Sequence, residues 1–140
     1  MGVLEIDLLP ALSDNYIYLL REPETGTVAV VDPGAPGPVI DALETRGWGL
    51  DLILNTHHHA DHTGGNAELK ARYGARVVGP GADRHRIAEL DEPAAESDTV
   101  QVGTETAHVI ETPGHTSGHI SLYFAGSRAL FCGDTLFALG

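Results

Sequence analysis

A dense group of metal-binding side chains is the feature that most restricts the fold of this chain. His57, His59, Asp61 and His62 lie within six consecutive positions, directly after the apolar residues 50–55, which are typical of a strand. Zinc and similar divalent ions readily bind imidazole nitrogen and carboxylate oxygen. The chain must therefore form a strand whose end presents several of these side chains together. A solvated histidine run is the alternative, and the interposed aspartate disfavours it.

The spacing of these four side chains predicts half of a two-metal site. His57 and His59 are two residues apart and can bind one ion from an extended segment. Asp61 and His62 lie where a helix would begin, and they can turn towards a second ion nearby. Two neighbouring cations suit metal-assisted hydrolysis.

Two later residues are candidates to complete the ligand set. His115 lies in a turn rich in proline and glycine, and Asp134 lies just beyond the strand predicted at residues 129–132. Each would by itself be an ordinary turn residue, but a catalytic zinc needs at least three protein ligands. Asp32 follows a strand in an equivalent place, and we interpret it as orienting a ligand or loop rather than binding metal.

The apolar patterns predict an α/β chain. The predicted helices are residues 38–46 and 67–73, with a short helical candidate at residues 84–89. The predicted strands are residues 3–9, 16–21, 27–31, 50–55, 76–78, 98–102, 105–111, 119–124 and 129–132. Ligands of open α/β sheets bind at the carboxyl ends of the strands, which is where the histidine cluster is predicted.

Composition narrows the class of protein. The 140 residues suggest one soluble domain, and the net charge of −12 disfavours nucleic acid as a partner. Cys132 is the single cysteine, so an internal disulfide is excluded and a cytoplasmic location is expected. No apolar segment approaches the ~18 residues of a membrane span, and no export signal precedes the first strand. We therefore expect no membrane association.

Segment 57–62 has the pattern His-x-His-x-Asp-His, and His115 and Asp134 follow it in order. In these residues the chain resembles the metallo-β-lactamase superfamily. Within that superfamily, residues 9–18, 112–120 and 131–137 are similar to glyoxalase II, the hydroxyacylglutathione hydrolases.

The resemblance implies an α/β fold, the αββα sandwich of two similar halves. The chain looks like the first half alone, a mixed β-sheet with flanking helices, so residues 1–140 are expected to be one domain truncated at its C-terminal side. A sheet that lacks its partner would leave an apolar face open to water, at a cost of roughly 2.5 kcal/mol for each ~100 Å². Self-association through that face is therefore expected.

The resemblance also implies how the ligands are divided. The first metal is expected to bind His57, His59 and His115, and the second to bind Asp61 and His62, with Asp134 bridging both. Asp61 and Asp134 are the expected catalytic residues. The expected metals are two divalent ions. Zinc is the preferred assignment, and iron and manganese are the alternatives. The family's seventh ligand and its glutathione-binding residues lie outside this sequence.

The function implied by the resemblance is hydrolysis of the thioester of S-D-lactoylglutathione to glutathione and D-lactate, in the detoxification of methylglyoxal. The small-molecule partner is thus a glutathione thioester. Two alternatives stay open. One is another enzyme of the superfamily, namely a lactonase, a β-lactamase or a persulfide dioxygenase. The other is an inactive half-domain that only binds metal.

Overall fold

A computed structural model describes residues 4–11, 15–57, 60–111, 119–132 and 135–138. Six strands form a first sheet, in the order in which they occur along the chain. They are Glu5–Ala11 (β1), Asn15–Glu22 (β2), Thr27–Val31 (β3), Leu52–Leu54 (β4), Arg76–Pro80 (β5) and Glu92–Ala94 (β6). The helices are Pro36–Arg46 (α1), Ala60–Thr63 (α2) and Asn66–Tyr73 (α3), with 3₁₀ turns at Gly81–Asp83 and Ala125–Ser127.

A second, five-stranded sheet follows along the chain. Its strands are Thr99–Val102 (β7), Glu105–Glu111 (β8), Ile120–Phe124 (β9), Ala129–Cys132 (β10) and Thr135–Ala138 (β11). They pair in the order β11-β10-β9-β8-β7, and every pairing is antiparallel. Antiparallel neighbours need only short turns between them, which agrees with the short connections in this half of the chain.

The first sheet is mixed, and its parallel part positions the site. β1, β2 and β3 pair antiparallel, whereas β3, β4, β5 and β6 pair parallel. The carboxyl ends of β3 and β4 therefore meet at one edge of the sheet. Asp32 directly follows β3, and Asn55, Thr56 and His57 follow β4, so that the side chains of both strand ends are neighbours.

The residues of β2 and β3 alternate between two cores. Ile17, Leu19, Val28 and Val30 pack with α1 and α3, while the intervening residues of the same strands face the second sheet. Strands that are buried on both faces are apolar almost throughout, as β3 is. The order of layers is thus helices, six-stranded sheet, five-stranded sheet.

The structure differs from the expected single sheet with an open apolar face. The inner face of the first sheet is covered, because residues of the second sheet such as Val109, Leu122 and Phe131 are buried in one core with Leu20 and Leu54. Side chains from the two inner faces of packed sheets interdigitate in this way. The face that the sequence assigned to a missing partner is covered by residues within 99–111 and 119–132 of the same chain.

Most predicted elements are confirmed, and three strands coincide with their predicted bounds, namely β3, β8 and β10. The helical candidate at residues 84–89 is wrong, since these residues form turns. The strands β6 and β11 were not predicted. β6 is only three residues long, which is too short to show a strand pattern in the sequence. It contains Pro93, and sheets accept proline in an edge strand.

A buried carboxylate ties the two sheets together. Glu22, at the end of β2, is fully buried and accepts hydrogen bonds from the backbone N–H groups of Glu24 and Thr104, at 2.6 and 2.8 Å, and from the Thr25 hydroxyl at 2.7 Å. Burial raises the pKa of Glu22, but these hydrogen bonds outweigh it and lower the pKa to about 2. Gly103 has no side chain to obstruct this contact, because an added Cβ would overlap Glu22 Oε1.

The chain offers no segment for a membrane span among the described residues, since none of their helices has the length and apolar character that crossing would need.

Candidate metal centre

The centre begins with the backbone at the ends of β3 and β4. Asp32 has a positive φ of 52°, and its N–H donates to Leu54 O at 2.8 Å. Asn55 N–H donates to Val78 O at 2.8 Å, which continues the pairing with β5 beyond the last residue of β4. The left-handed turn at Asp32 directs the chain away from the sheet, and a non-glycine residue in that conformation is uncommon.

The Asp32 carboxylate contacts both Thr56 and His62. Its Oδ1 accepts the Thr56 N–H at 2.8 Å, and its Oδ2 accepts the Thr56 hydroxyl at 2.7 Å. The same Oδ2 lies 3.1 Å from His62 Nδ1. Asp32, Thr56 and His62 are all buried, so this network lies out of bulk water. Hydrogen bonds to a carboxylate are stronger than neutral ones, which makes the carboxylate an effective anchor.

Three imidazoles lie together beside this carboxylate. The ring centroids of His57 and His62 are 4.1 Å apart, and those of His57 and His119 are 5.1 Å apart. The Ile120 N–H donates to Thr56 O at 2.9 Å, so the start of β9 is joined to the loop after β4. That backbone contact explains how the second sheet brings His119 to the centre.

Buried amides and a glycine fix the short helices that follow His57. Asn66 Nδ2 donates to Asn55 Oδ1 at 2.6 Å, and Asn55 Nδ2 donates to His62 O at 3.3 Å. Gly65 packs against the loop after Asp32, where an added Cβ would lie 2.8 Å from Pro33 O. Gly65 N–H donates to that same oxygen at 2.7 Å. These contacts set the position of α2 relative to the sheet.

The donor set fits a divalent cation. Potential ligand atoms of Asp32, His57 and His62 lie within 4.8 Å of one another, and all three residues are buried. Buried imidazoles and carboxylates that converge on one point are suited to zinc, iron or manganese. Both Asp32 oxygens are already engaged by Thr56, so the two imidazoles are better placed to bind the ion.

The predicted ligands fall into two groups. His57 and His62 are brought together, and Asp61 lies between them in sequence, with its backbone in α2. His59, His115 and Asp134 lie outside the described residues.

Sequence reasoning did not identify Thr56 as part of the centre. A threonine next to a histidine is common, and its contact with Asp32 joins residues 24 positions apart. Nor did sequence reasoning place His119 among the candidate ligands, although the His119 ring lies beside that of His57. His108 is exposed on β8.

The family model described as the metallo-beta-lactamase superfamily matches residues 12–140. The chain belongs to this superfamily.

Curated relatives are identical to the chain at about half of the aligned positions. A protein of Methylococcus capsulatus named hydroxyacylglutathione hydrolase is 54% identical over 138 residues, which are 99% of this chain and 54% of that protein. A protein of Rhodospirillum rubrum with the same name is 54% identical over 140 residues, 100% of this chain and 55% of that protein. The chain thus spans about half the length of these relatives.

Solved structures of the superfamily have the same fold. The B3 metallo-beta-lactamase BLEG-1 has a TM-score of 0.84 at 25% identity, over 95% of this chain and 73% of that chain. ETHE1 from Myxococcus xanthus has a TM-score of 0.72 at 27% identity, over 86% of this chain and 53% of that chain. The α/β metallo-β-lactamase fold that the sequence predicted is therefore confirmed.

Proposed function

We propose that this chain supplies the metal-binding part of a hydroxyacylglutathione hydrolase, which cleaves the thioester of an S-(2-hydroxyacyl)glutathione such as S-D-lactoylglutathione. The products would be glutathione and a 2-hydroxy acid, D-lactate for that substrate. The observation that supports this most is the buried cluster of Asp32, His57 and His62 at a sheet edge. It occurs in a chain that is 54% identical to proteins of that name.

The proposed ligand set is the one that the sequence motif implies. His57, His59 and His115 would bind one cation, Asp61 and His62 a second, and Asp134 would bridge them. Zinc is the proposed metal, with iron and manganese as alternatives. When bound, a pair of such ions activates water as a nucleophile and polarises the carbonyl under attack.

The chain's own residues position and shield this chemistry. Asp32 and Thr56 hold His57 in place through hydrogen bonds, and the Asp32 carboxylate lies 3.1 Å from His62 Nδ1. Both histidines are more than nine-tenths buried, so the ligand end of each ring would meet little competing bulk water. We propose that Asp61 orients the attacking water by accepting a hydrogen bond from it. No protein nucleophile is required in this scheme, so Cys132 has no role in it.

Hydrolysis of a β-lactam is the second candidate. The similarity to the BLEG-1 structure, at a TM-score of 0.84, favours it. The chain is 25% identical to BLEG-1 but 54% identical to a hydroxyacylglutathione hydrolase, and this difference favours hydrolysis of the thioester. A glutathione persulfide is a third substrate to test, because a persulfide dioxygenase is among the superfamily enzymes that the sequence leaves open.

The decisive experiment offers these three substrates to the metal-loaded intact protein. Release of free thiol from S-D-lactoylglutathione, abolished in His57→Ala and retained in the matched control His108→Ala, is the expected result. Cleavage of the β-lactam instead would assign the second candidate. Tight zinc binding without turnover of any substrate would mean that the protein only binds metal, and the hydrolase proposal would be abandoned for it.

The proposed setting is the cytoplasm, in the degradation of methylglyoxal, with a glutathione thioester as the small-molecule partner. Self-association is proposed through the outer face of the second sheet, where Ile110 is 38% exposed. Light scattering tests this, and a monomer across the accessible concentration range would contradict it.

A further inference from the structure

The hydroxyl of Thr56 has a single proton, and the geometry fixes where that proton lies. Its Oγ1 is 2.7 Å from Asp32 Oδ2 and 3.0 Å from His57 Nδ1. An aspartate carboxylate can only accept hydrogen bonds. The hydroxyl therefore donates to Asp32, and the side of the oxygen that faces His57 has a lone pair to offer.

The position of that lone pair determines the form of the His57 ring. A neutral imidazole has one N–H, on either Nδ1 or Nε2, and the hydrogen bond made by one nitrogen decides the state of the other. Because Thr56 Oγ1 must accept, His57 has its proton on Nδ1 and donates it. The lone pair of the ring then lies on Nε2, which would be the nitrogen that binds an ion.

We propose that Thr56 is a positioning residue that sets the tautomer of His57 so that Nε2 is its metal-binding atom. Metal-binding histidines usually donate their other N–H directly to a carboxylate or a carbonyl. Here the carboxylate of Asp32 acts on His57 through an intervening hydroxyl. The inference depends on the metal ligands proposed above, but it does not depend on which substrate is hydrolysed.

The same carboxylate is also close to the second histidine. Asp32 Oδ2 lies 3.1 Å from His62 Nδ1, but this contact does not have the geometry of a hydrogen bond. The arrangement of donors and acceptors therefore assigns the proton of the His57 ring only.

The surroundings give the Thr56 hydroxyl no easy alternative. Thr56 is fully buried, so bulk water does not compete for its proton. Its backbone is fixed on both sides, since its N–H donates to Asp32 Oδ1 and its carbonyl accepts the Ile120 N–H. The side chain would have to break the bond to a carboxylate in order to turn away, and that bond is the strongest available to it.

The test measures the tautomer itself in the metal-free chain. Long-range ¹⁵N–¹H NMR of ¹⁵N-histidine protein, at a pH of about 8.5 where histidines are usually neutral, distinguishes a protonated Nδ1 from a protonated Nε2. We expect His57 to be protonated on Nδ1 in the wild type and in Thr56→Ser, which keeps the hydroxyl. Thr56→Val has nearly the same shape but no hydroxyl, so the preference should be lost. Exposed His108 is the internal reference.

Zinc affinity, measured by competition with a chelator, gives the functional readout. Thr56→Val should bind zinc about 10- to 100-fold more weakly, the usual effect of removing such a partner, and Thr56→Ser should restore binding. A wild-type His57 protonated on Nε2 would overturn the proposal. So would a Thr56→Val chain with unchanged tautomer and affinity. If Thr56→Val fails to fold, as judged by circular dichroism, the wild-type tautomer decides alone. The tautomer is independent of thioester hydrolysis, so failure of the proposed function would be seen separately.

Discussion

Replacing Asp32 by asparagine should move the proton of His57 from Nδ1 to Nε2 while leaving the shape of the centre unchanged. The Thr56 N–H donates to Oδ1, so the amide oxygen of Asn must take that position and the NH₂ group must replace Oδ2. The NH₂ would then donate to the Thr56 hydroxyl, which in turn would donate to His57 Nδ1. The His57 ring would be protonated on Nε2, the nitrogen proposed to bind metal.

The size of the effect follows from the hydrogen bond that this ring must break. To bind an ion through Nε2, the ring must give up its hydrogen bond to the new network, at about 0.5–1.5 kcal/mol. Since about 1.4 kcal/mol is a factor of ten in affinity, Asp32→Asn should weaken zinc binding roughly 2- to 12-fold.

The assay is the same chelator competition, combined with the histidine NMR spectrum of the metal-free variant. The matched control is Asp51→Asn, because Asp51 Oδ2 also accepts a backbone N–H, from Val28 at 2.9 Å, but at the opposite end of β4. Equal losses of affinity in both variants would mean that charge alone is responsible. An Asp32→Asn chain with wild-type affinity and His57 still protonated on Nδ1 would refute the reasoning.

Three further predictions concern stability. Gly65→Ala should lower the free energy of unfolding by about 1–3 kcal/mol, because its Cβ would lie 2.8 Å from Pro33 O. The control is Gly49→Ala, which should have little effect because no atom lies within 4 Å of its Cβ. Urea unfolding of the two variants measures the difference. The folded pKa of Glu22 is lowered from 4.5 to about 2, so its contribution is full above pH 4.5 and lost as the pH falls towards 2. Glu22→Gln should therefore reduce the melting temperature at neutral pH and flatten its decline between pH 4.5 and 2; a decline as steep as that of the wild type would contradict this. Phe131→Ala, at a fully buried position, should cost about 3–5 kcal/mol in denaturant unfolding and Phe131→Leu clearly less; equal costs would argue against a close-packed core there.

The sequence determined the strands and the location of the centre. β3 reads Thr-Val-Ala-Val-Val, an apolar run whose bounds the sequence predicted, and the structure places it between the helices and the second sheet. The histidine cluster follows β4 directly in sequence, and ligands bind where parallel strands end. A pattern of neighbours along the chain was sufficient for these two predictions.

Tertiary structure decided everything that depends on residues far apart in sequence. β7 to β11 cover the first sheet because two apolar faces came together, which no local pattern specifies. Asp32 meets Thr56 because β3 and β4 pair in parallel, with Val31 opposite Leu54. The direction of each hydrogen bond around Thr56 then follows from which groups can only accept. A sequence records where donors and acceptors occur, whereas only the folded chain sets the distances that decide which of them pair.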